Sequence, residues 1–253
     1  MTDIFADSKI RLSQAKKHIL AFERRIKVFF EKEQYTEVIE QDSIRDSVHK
    51  IKFTEPFIDD LAAIATDVVD NLRASLDYAW HTLAVASKAI VETDEATFPF
   101  LNNASKFENT IKRGFKKFHP EIIALLRSFQ PYKGGNDLLW ALHRIAATNR
   151  HRMLAPVILK AGLSGKVGST GKITFPPAGW NSAKNEIVCF AIHTNGRSPL
   201  TIPDLKLRIA VVFDQVEFVG NQRAITVLNN LTSEVKNIIE ALEGAARMLG
   251  YIT

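Results

Sequence analysis

The sequence predicts an α+β fold: a helical bundle core with a mostly antiparallel β-sheet formed by an N-terminal hairpin and C-terminal strands. Three observations lead to this class. Apolar residues recur at spacings of three and four over long stretches near both ends of the chain. The segment VHKIKF alternates apolar and polar residues near the N-terminus. After residue 153 the chain becomes rich in Ile, Val and Phe, with turn residues between the apolar runs.

The first part of the chain predicts two long helices and a hairpin. Apolar stripes indicate helices over about residues 8–32 and 59–88, the second of which we expect to be the core helix. Alternating patterns over residues 35–40 and 47–53 flank a polar turn and indicate two paired strands.

Three shorter helices follow in the predicted order. Ser105 is expected to cap the first, because Glu108 stands three residues later as in a capping box. Pro120 starts the second, which runs to about residue 129. Asn136 or Asp137 can cap the third.

The second part of the chain predicts strands and a closing helix. The strands are expected to join the N-terminal hairpin in one sheet, so residues 1–253 form a single α+β domain with a helical part over about 57–152 and a strand-rich part over about 153–220. The predicted strands are residues 157–160, 171–175, 186–193 and 205–213, and the closing helix is 222–249.

Composition narrows the classes of partner. The formal net charge is +5 and the pI is about 9.2, which favours polyanions such as RNA. There is no apolar run of about 18 residues and no signal-peptide pattern, so we expect no membrane and a cytoplasmic location. The one cysteine, Cys189, stands in an apolar run and is expected to be buried.

The segment LWALHRIAATNRHRML at residues 139–154 is the strongest candidate site. Its apolar face ends in a cluster of cations with one amide, Asn149. His151 suits general acid/base catalysis, because its unperturbed pKa is about 6.5. Arg152 suits an anion clamp, because its planar fork matches a phosphate. The alternative is that these cations only complement the dipole of the helix end.

A second polar group lies on the predicted core helix. Arg73, Asp77 and His81 follow one another at i,i+4 spacing, and therefore share one strip of the helix. They form either one wall of a site or a partly buried ion-pair network. Asp77, His81, His143 and His151 could be considered as metal ligands, but their spacing matches no helical-bundle metal site. We therefore expect no metal and no cofactor.

The spacing of Arg144 and His151, with six residues between them, resembles the arginine-histidine motif of HEPN-like nucleases. These are all-helical domains that commonly cut RNA without a metal and pair two motifs across a homodimer. The resemblance implies that Arg144 holds the scissile phosphate and that His151 transfers protons.

A broader resemblance covers about residues 57–158. The blocks NLRASLDYAW at residues 71–80 and LHRIAATNRHR at 142–152, with the FP at 98–99 and the QPY at 130–132, are similar to the signature blocks of a group of uncharacterised prokaryotic proteins. That resemblance brings no activity with it. It implies that two sets of side chains converge from neighbouring helices, namely Asn71, Arg73 and Asp77 with Asn149, His151 and Arg152.

These observations lead to three hypotheses of function. The first is an RNA-binding protein or metal-independent ribonuclease of toxin or defence type, which uses His151, Arg144, Arg152 and Asn149 with support from Asn71, Arg73, Asp77 and His81. The second is a non-catalytic binding or assembly protein in which the polar cluster is a buried structural network. The third is a small-molecule enzyme with a deep apolar pocket beside His151.

Overall fold

A computed structural model describes residues 3–41, 46–90, 96–147, 154–164, 171–174, 179–194, 204–214, 216–220 and 222–252. It confirms the α+β class. Within these residues the elements are, in chain order, α1 (Ala6–Glu31), β1 (Tyr35–Gln41), β2 (Asp46–Phe53), α2 (Phe57–Ala86), α3 (Ala104–Gly114), α4 (Pro120–Phe129), α5 (Asp137–Ala147), β3 (Leu154–Ser164), β4 (Gly171–Thr174), β5 (Gly179–Asn181), β6 (Glu186–Thr194), β7 (Asp204–Phe213) and α6 (Ala224–Met248).

Helix α2 is the centre of the bundle, as its apolar stripe predicts. It packs against α1, α5 and α6, and its apolar stripe is buried except for Ile64, which is partly buried. Ser75 is also buried in α2, and its hydroxyl donates a hydrogen bond of 2.6 Å to the carbonyl oxygen of Ser8 in α1. The small serine side chain therefore lets the two helix backbones approach closely. None of the described helices is long and apolar enough to cross a membrane.

The observed N-cap residues of α3 and α5 are those whose side chains accept hydrogen bonds from the first turn, and sequence spacing identified them only in part. The predicted capping box at Ser105 is wrong, because α3 begins earlier and Asn103 is its N-cap, with its side-chain oxygen 2.8 Å from the Lys106 amide nitrogen. Glu108 is bound to Arg127 instead of turning back to the helix start. Of the two candidate N-cap residues of α5, Asn136 is the observed cap, because its side-chain oxygen accepts a hydrogen bond of 3.0 Å from the Leu139 amide nitrogen.

The strands form two sheets, which corrects the prediction of one. The larger sheet is antiparallel in the order β1-β2-β6-β4, and β5 also pairs with β6. The N-terminal hairpin does join a C-terminal strand, as β2 pairs with β6. Among the described strands, however, β3 and β7 pair with each other and not with the larger sheet. Both edges of β6 are occupied, by β2 on one side and by β4 and β5 on the other, so β3 and β7 do not pair with the central C-terminal strand.

An aromatic cluster attaches the larger sheet to the bundle. The Phe53 ring of β2 lies 5.1 Å from the Phe29 ring of α1 and 5.3 Å from the Trp180 ring of β5. Phe29 stacks on Phe57 at the start of α2, with ring centroids 3.8 Å apart. Sheet and helices therefore share one apolar core, in which Cys189 is buried as expected.

Candidate functional site

Arg73 of α2 reaches across to α5 and carries the polar contacts between the two helices. Its Nη1 lies 2.8 Å from Nδ1 of His143, and its Nε lies 3.3 Å from Oδ2 of Asp77, one turn further along α2. The guanidinium carbon lies 4.2 Å from the centroid of the Phe100 ring, within cation-π distance. One side chain therefore joins α2, α5 and the segment that precedes α3.

His143 is enclosed by rings as well as by Arg73. Its imidazole stacks on Phe100 with a centroid distance of 5.1 Å and an interplanar angle of 12°, and the Trp140 ring lies 5.0 Å away. A guanidinium can only donate, so Nδ1 of His143 accepts and the proton of the neutral ring is on Nε2. Burial, followed by the nearby charges of Arg73 and Arg144, lowers the pKa of His143 below its ordinary value. The ring is therefore held in its neutral form.

Asp77 completes this network. Oδ2 faces Arg73, and Oδ1 accepts a hydrogen bond of 2.8 Å from the Phe98 amide nitrogen. The Phe98 ring in turn packs edge-on against Trp80, with centroids 6.3 Å apart. The carboxylate thus fixes the loop that supplies Phe100 to the His143 ring. We call Arg73, Asp77, Phe100 and His143 the α2-α5 brace.

The predicted supporting residues join this network only in part. Arg73 and Asp77 pair as the i,i+4 spacing predicts. The described residues show no such bond between Asp77 and His81, and the two oxygens of Asp77 accept instead from Arg73 and from the Phe98 amide. His81 lies half-buried one turn further along. Asn71 turns back instead and donates to the Asp67 carbonyl oxygen at 2.8 Å.

The predicted catalytic residues divide between described and undescribed parts of the chain. Arg144 is exposed in the last turn of α5, next to His143. Asn149, His151 and Arg152 lie outside the described residues. Their convergence with Asn71, Arg73 and Asp77 therefore stays a prediction.

The sequence does not predict the role of His143, which it suggests only as one of four possible metal ligands. The one available signal is that His143 stands between the buried Leu142 and Ile145 of α5, at the border of the apolar face. In the part of the chain described, no three His, Cys, Asp or Glu side chains lie close enough to hold a metal ion.

The brace has a limited chemistry of its own. The only lone pair of the neutral His143 ring, on Nδ1, is engaged by Arg73, so His143 is not available as a base, and each oxygen of Asp77 accepts one hydrogen bond inside the brace. What the brace supplies is position, since it fixes the direction in which α5 ends.

Comparisons with protein-family models, with curated proteins and with solved structures found no match.

Proposed function

We propose that this protein binds RNA and cleaves it without a metal at the C-terminal end of α5. In this proposal Arg144 holds the scissile phosphate and His151 transfers protons. The observation that carries the proposal is the exposure of Arg144 in the last turn of a helix that the brace ties to the core. His151 follows seven residues later in the sequence.

The proposed reaction needs only these groups and the RNA itself. The ribose 2′-oxygen attacks the neighbouring phosphorus and its proton passes to His151, and the protonated His151 gives that proton to the 5′-oxygen as the bond between phosphorus and the 5′-oxygen breaks. The products are a 2′,3′-cyclic phosphate and a free 5′-hydroxyl. Proton transfer by a positioned side chain contributes about 100- to 10,000-fold. Arg144, with Arg152 as a second cation, stabilises the charge that develops on the phosphate, and Asn149 orients the imidazole.

A specific observation favours the second candidate, a non-catalytic binding protein. The polar atoms that Arg73, Asp77 and His143 direct at one another are satisfied within the brace. Removing one partner from such a group leaves the others unpaired and destabilises a protein by about 1–3 kcal/mol per group. In that case the network serves stability alone, and no residue of the polar cluster acts on RNA.

The experiment measures RNA cleavage in EDTA together with melting temperature. We expect His151→Ala and Arg144→Ala to lower the cleavage rate at least about 100-fold while melting within about 2 °C of the wild type. The matched controls are His18→Ala and Arg24→Ala on α1, which remove the same residue types outside the cluster. They should cleave as the wild type does.

Brace variants separate the two candidates. Under the ribonuclease proposal, Arg73→Ala lowers both the melting temperature and the cleavage rate, because α5 loses its fixed direction. If the wild type cleaves no RNA, or if both controls lose as much activity as His151→Ala, the ribonuclease proposal fails. A large loss of melting temperature in Arg73→Ala, with no cleavage by any variant, then establishes the second candidate. Light scattering of the same samples tests the homodimer that the HEPN resemblance implies.

A further inference from the structure

A group of four cations stands on the surface at the end of α3. Lys112 and Arg113 lie in its last turn, and Lys116 and Lys117 lie in the turn that follows. All four are exposed, and in the part of the chain that the structure describes none of them forms an ion pair. Residues 109–119 contain no Asp or Glu. We call these four residues the α3 ridge.

The ridge is held outward by the apolar residues between its members. Ile111 is buried in α3. Phe118 stacks on Trp80 of α2 with centroids 5.0 Å apart, and Phe115 lies 5.5 Å from the same ring. Because these apolar side chains face the core, the cations between them are exposed to solvent. The ridge is therefore a fixed surface, with a set position relative to α2.

Local electrostatics do not account for the whole ridge. The carboxylate nearest along α3, Glu108, is engaged by Arg127, which contacts its two oxygens at 3.0 and 2.8 Å. The negative end of the α3 dipole favours Lys112 and Arg113, but its effect ends with the last turn of the helix. It does not explain Lys116 and Lys117. Lys112 also interacts electrostatically with Glu108, one turn back along α3, but four cations in six positions exceed this one partly shared carboxylate and fit a polyanionic partner.

Three cations of α1 differ in this respect. Arg25 contacts Glu55 and Asp60, Lys27 lies 3.6 Å from Glu31, and Lys9 contacts Asp3 and Glu243. Other α1 cations, namely Lys16, Lys17 and Arg24, are exposed and form no ion pair within the described residues. The ridge, with four cations in six positions and no acid among residues 109–119, is the denser of the two basic surfaces, and α1 is the surface against which it has to be tested.

We propose that the α3 ridge binds the phosphate backbone of single-stranded RNA and delivers the strand to the end of α5. This proposal rests on the ribonuclease function proposed above. Ring contacts through the buried Phe98 and Trp80 limit the distance between the two places: His143 to Phe100, Phe100 to Phe98, Phe98 to Trp80 and Trp80 to Phe115 have centroid distances of 5.1, 5.2, 6.3 and 5.5 Å. Even at the helical rise of about 3.4 Å per nucleotide, a strand of about ten nucleotides is longer than that separation.

The chemistry of the ridge determines the kind of recognition. Its aromatic residues, Phe115 and Phe118, are occupied by Trp80 and by each other, so they are not available to stack on bases. Lysine and arginine contacts to phosphate carry no sequence information. Binding at the ridge is therefore independent of sequence and strongly dependent on salt.

The test measures binding of a 2′-O-methyl RNA oligonucleotide, which lacks the attacking hydroxyl and so separates binding from cleavage. The ridge variant carries Lys112→Gln, Arg113→Gln, Lys116→Gln and Lys117→Gln. The matched control removes four exposed cations from α1 by Lys16→Gln, Lys17→Gln, Arg24→Gln and Lys27→Gln, so both variants lose the same net charge. Fluorescence anisotropy gives the affinity as a function of salt, and circular dichroism checks that both variants fold.

We expect the salt dependence to fall only in the ridge variant. Four phosphate contacts to a single strand contribute a slope of about 3 in the logarithm of affinity against the logarithm of salt concentration. Between about 50 and 200 mM salt the wild type should therefore lose about 50-fold more affinity than the ridge variant does. Oligonucleotides of different base composition should bind the wild type alike.

The outcomes distinguish the ridge from the ribonuclease proposal. If the control loses as much affinity as the ridge variant, net charge alone governs binding and the ridge proposal is overturned. If the wild type cleaves RNA and the ridge variant binds RNA as the wild type does, the ridge proposal is overturned and the ribonuclease proposal stands. If binding depends on the ridge but the wild type cleaves no RNA, the ridge is supported as an RNA-binding surface and the ribonuclease proposal is overturned. Ridge-dependent binding to phosphatidylserine vesicles, with none to RNA, overturns the ridge proposal in favour of a lipid surface.

Discussion

At the scale of single residues, the most informative contact is the hydrogen bond between Arg73 and His143. It requires a neutral imidazole, because a protonated ring has no lone pair to accept with and would stand beside a permanent positive charge. The pKa of His143 is lowered by burial first, and then by Arg73 and Arg144. The contact between α2 and α5 is therefore sensitive to acid.

The sign of this effect follows from linkage. In the unfolded chain His143 titrates near pH 6.5, and in the folded chain its pKa is lower. As the pH falls below about 6.5, the unfolded state binds a proton that the folded state does not, so stability is full above that pH and declines below it. We predict that, in denaturant titrations between about pH 8 and about pH 5, the wild type loses more unfolding free energy than His143→Gln.

Glutamine is the suitable substitution because its side-chain oxygen can still accept from Arg73. The pKa of His49 is also lowered by burial, but His49 is present in both proteins and its contribution cancels. Parallel stability curves for the two proteins would show that folding does not change the pKa of His143, which would contradict the prediction.

The sequence predicts those contacts of the site that join residues within one helix, because helical geometry fixes their spacing. The pair of Arg73 and Asp77 follows from helical spacing alone. The bond from Arg73 to His143 joins residues 70 positions apart, and depends on how α5 packs on α2. No spacing rule gives that packing, so the sequence located the two polar groups without giving their pairing.

At the scale of elements, helices begin where a side chain actually reaches the free amide groups. The sequence offered Ser105 and Glu108 as a capping box, and the observed cap is Asn103. Asn103 has an extended backbone, with φ −168° and ψ 167°, as an N-cap residue requires. The capping-box pattern failed because Glu108 found a stronger partner in Arg127 of α4.

This difference gives a direct comparison of two variants. We predict that Asn103→Ala destabilises the protein by about 0.5–2 kcal/mol, since the Lys106 amide loses its acceptor. Ser105→Ala should change stability by less than about 0.5 kcal/mol, because Ser105 is exposed inside the first turn. Urea denaturation of both variants measures the two values. Equal losses would mean that Ser105 contributes to the cap in solution.

At the scale of the whole molecule, the α+β class and the long helices could be predicted because they depend on periodicity. The division into two sheets could not, since pairing of β3 or β7 with an outer strand of the larger sheet would leave the same sequence pattern as the separate β3-β7 pair that is observed. Strand patterns show which residues extend, and they do not show which strands are neighbours. The single domain stays a prediction, and the shared aromatic core around Phe29 and Phe53 supports it.

A shared core predicts one cooperative unfolding transition. Trp180 reports on the sheet through Phe53, whereas Trp80 and Trp140 report on the helices. We predict that, in the wild type and in Trp180→Phe alike, the thermal unfolding midpoint measured by tryptophan fluorescence equals the midpoint measured by far-UV circular dichroism. Fluorescence of Trp180, obtained as the difference between the two proteins, should give that midpoint too. A separate midpoint for this difference would divide the chain into two units.

The pairing of β2 with β6 also determines when the fold can form during synthesis. Ile51 of β2 lies opposite Ile187 of β6, so more than half the chain is translated between the two strands. Contacts of such long range require costly loop closure and slow the folding of a domain. Until the ribosome has released β6, the inner edge of β2 has unpaired backbone groups, which is the kind of edge that recruits other chains. The growing polypeptide therefore passes through a long interval in which one edge of its N-terminal hairpin is open to pairing with other chains.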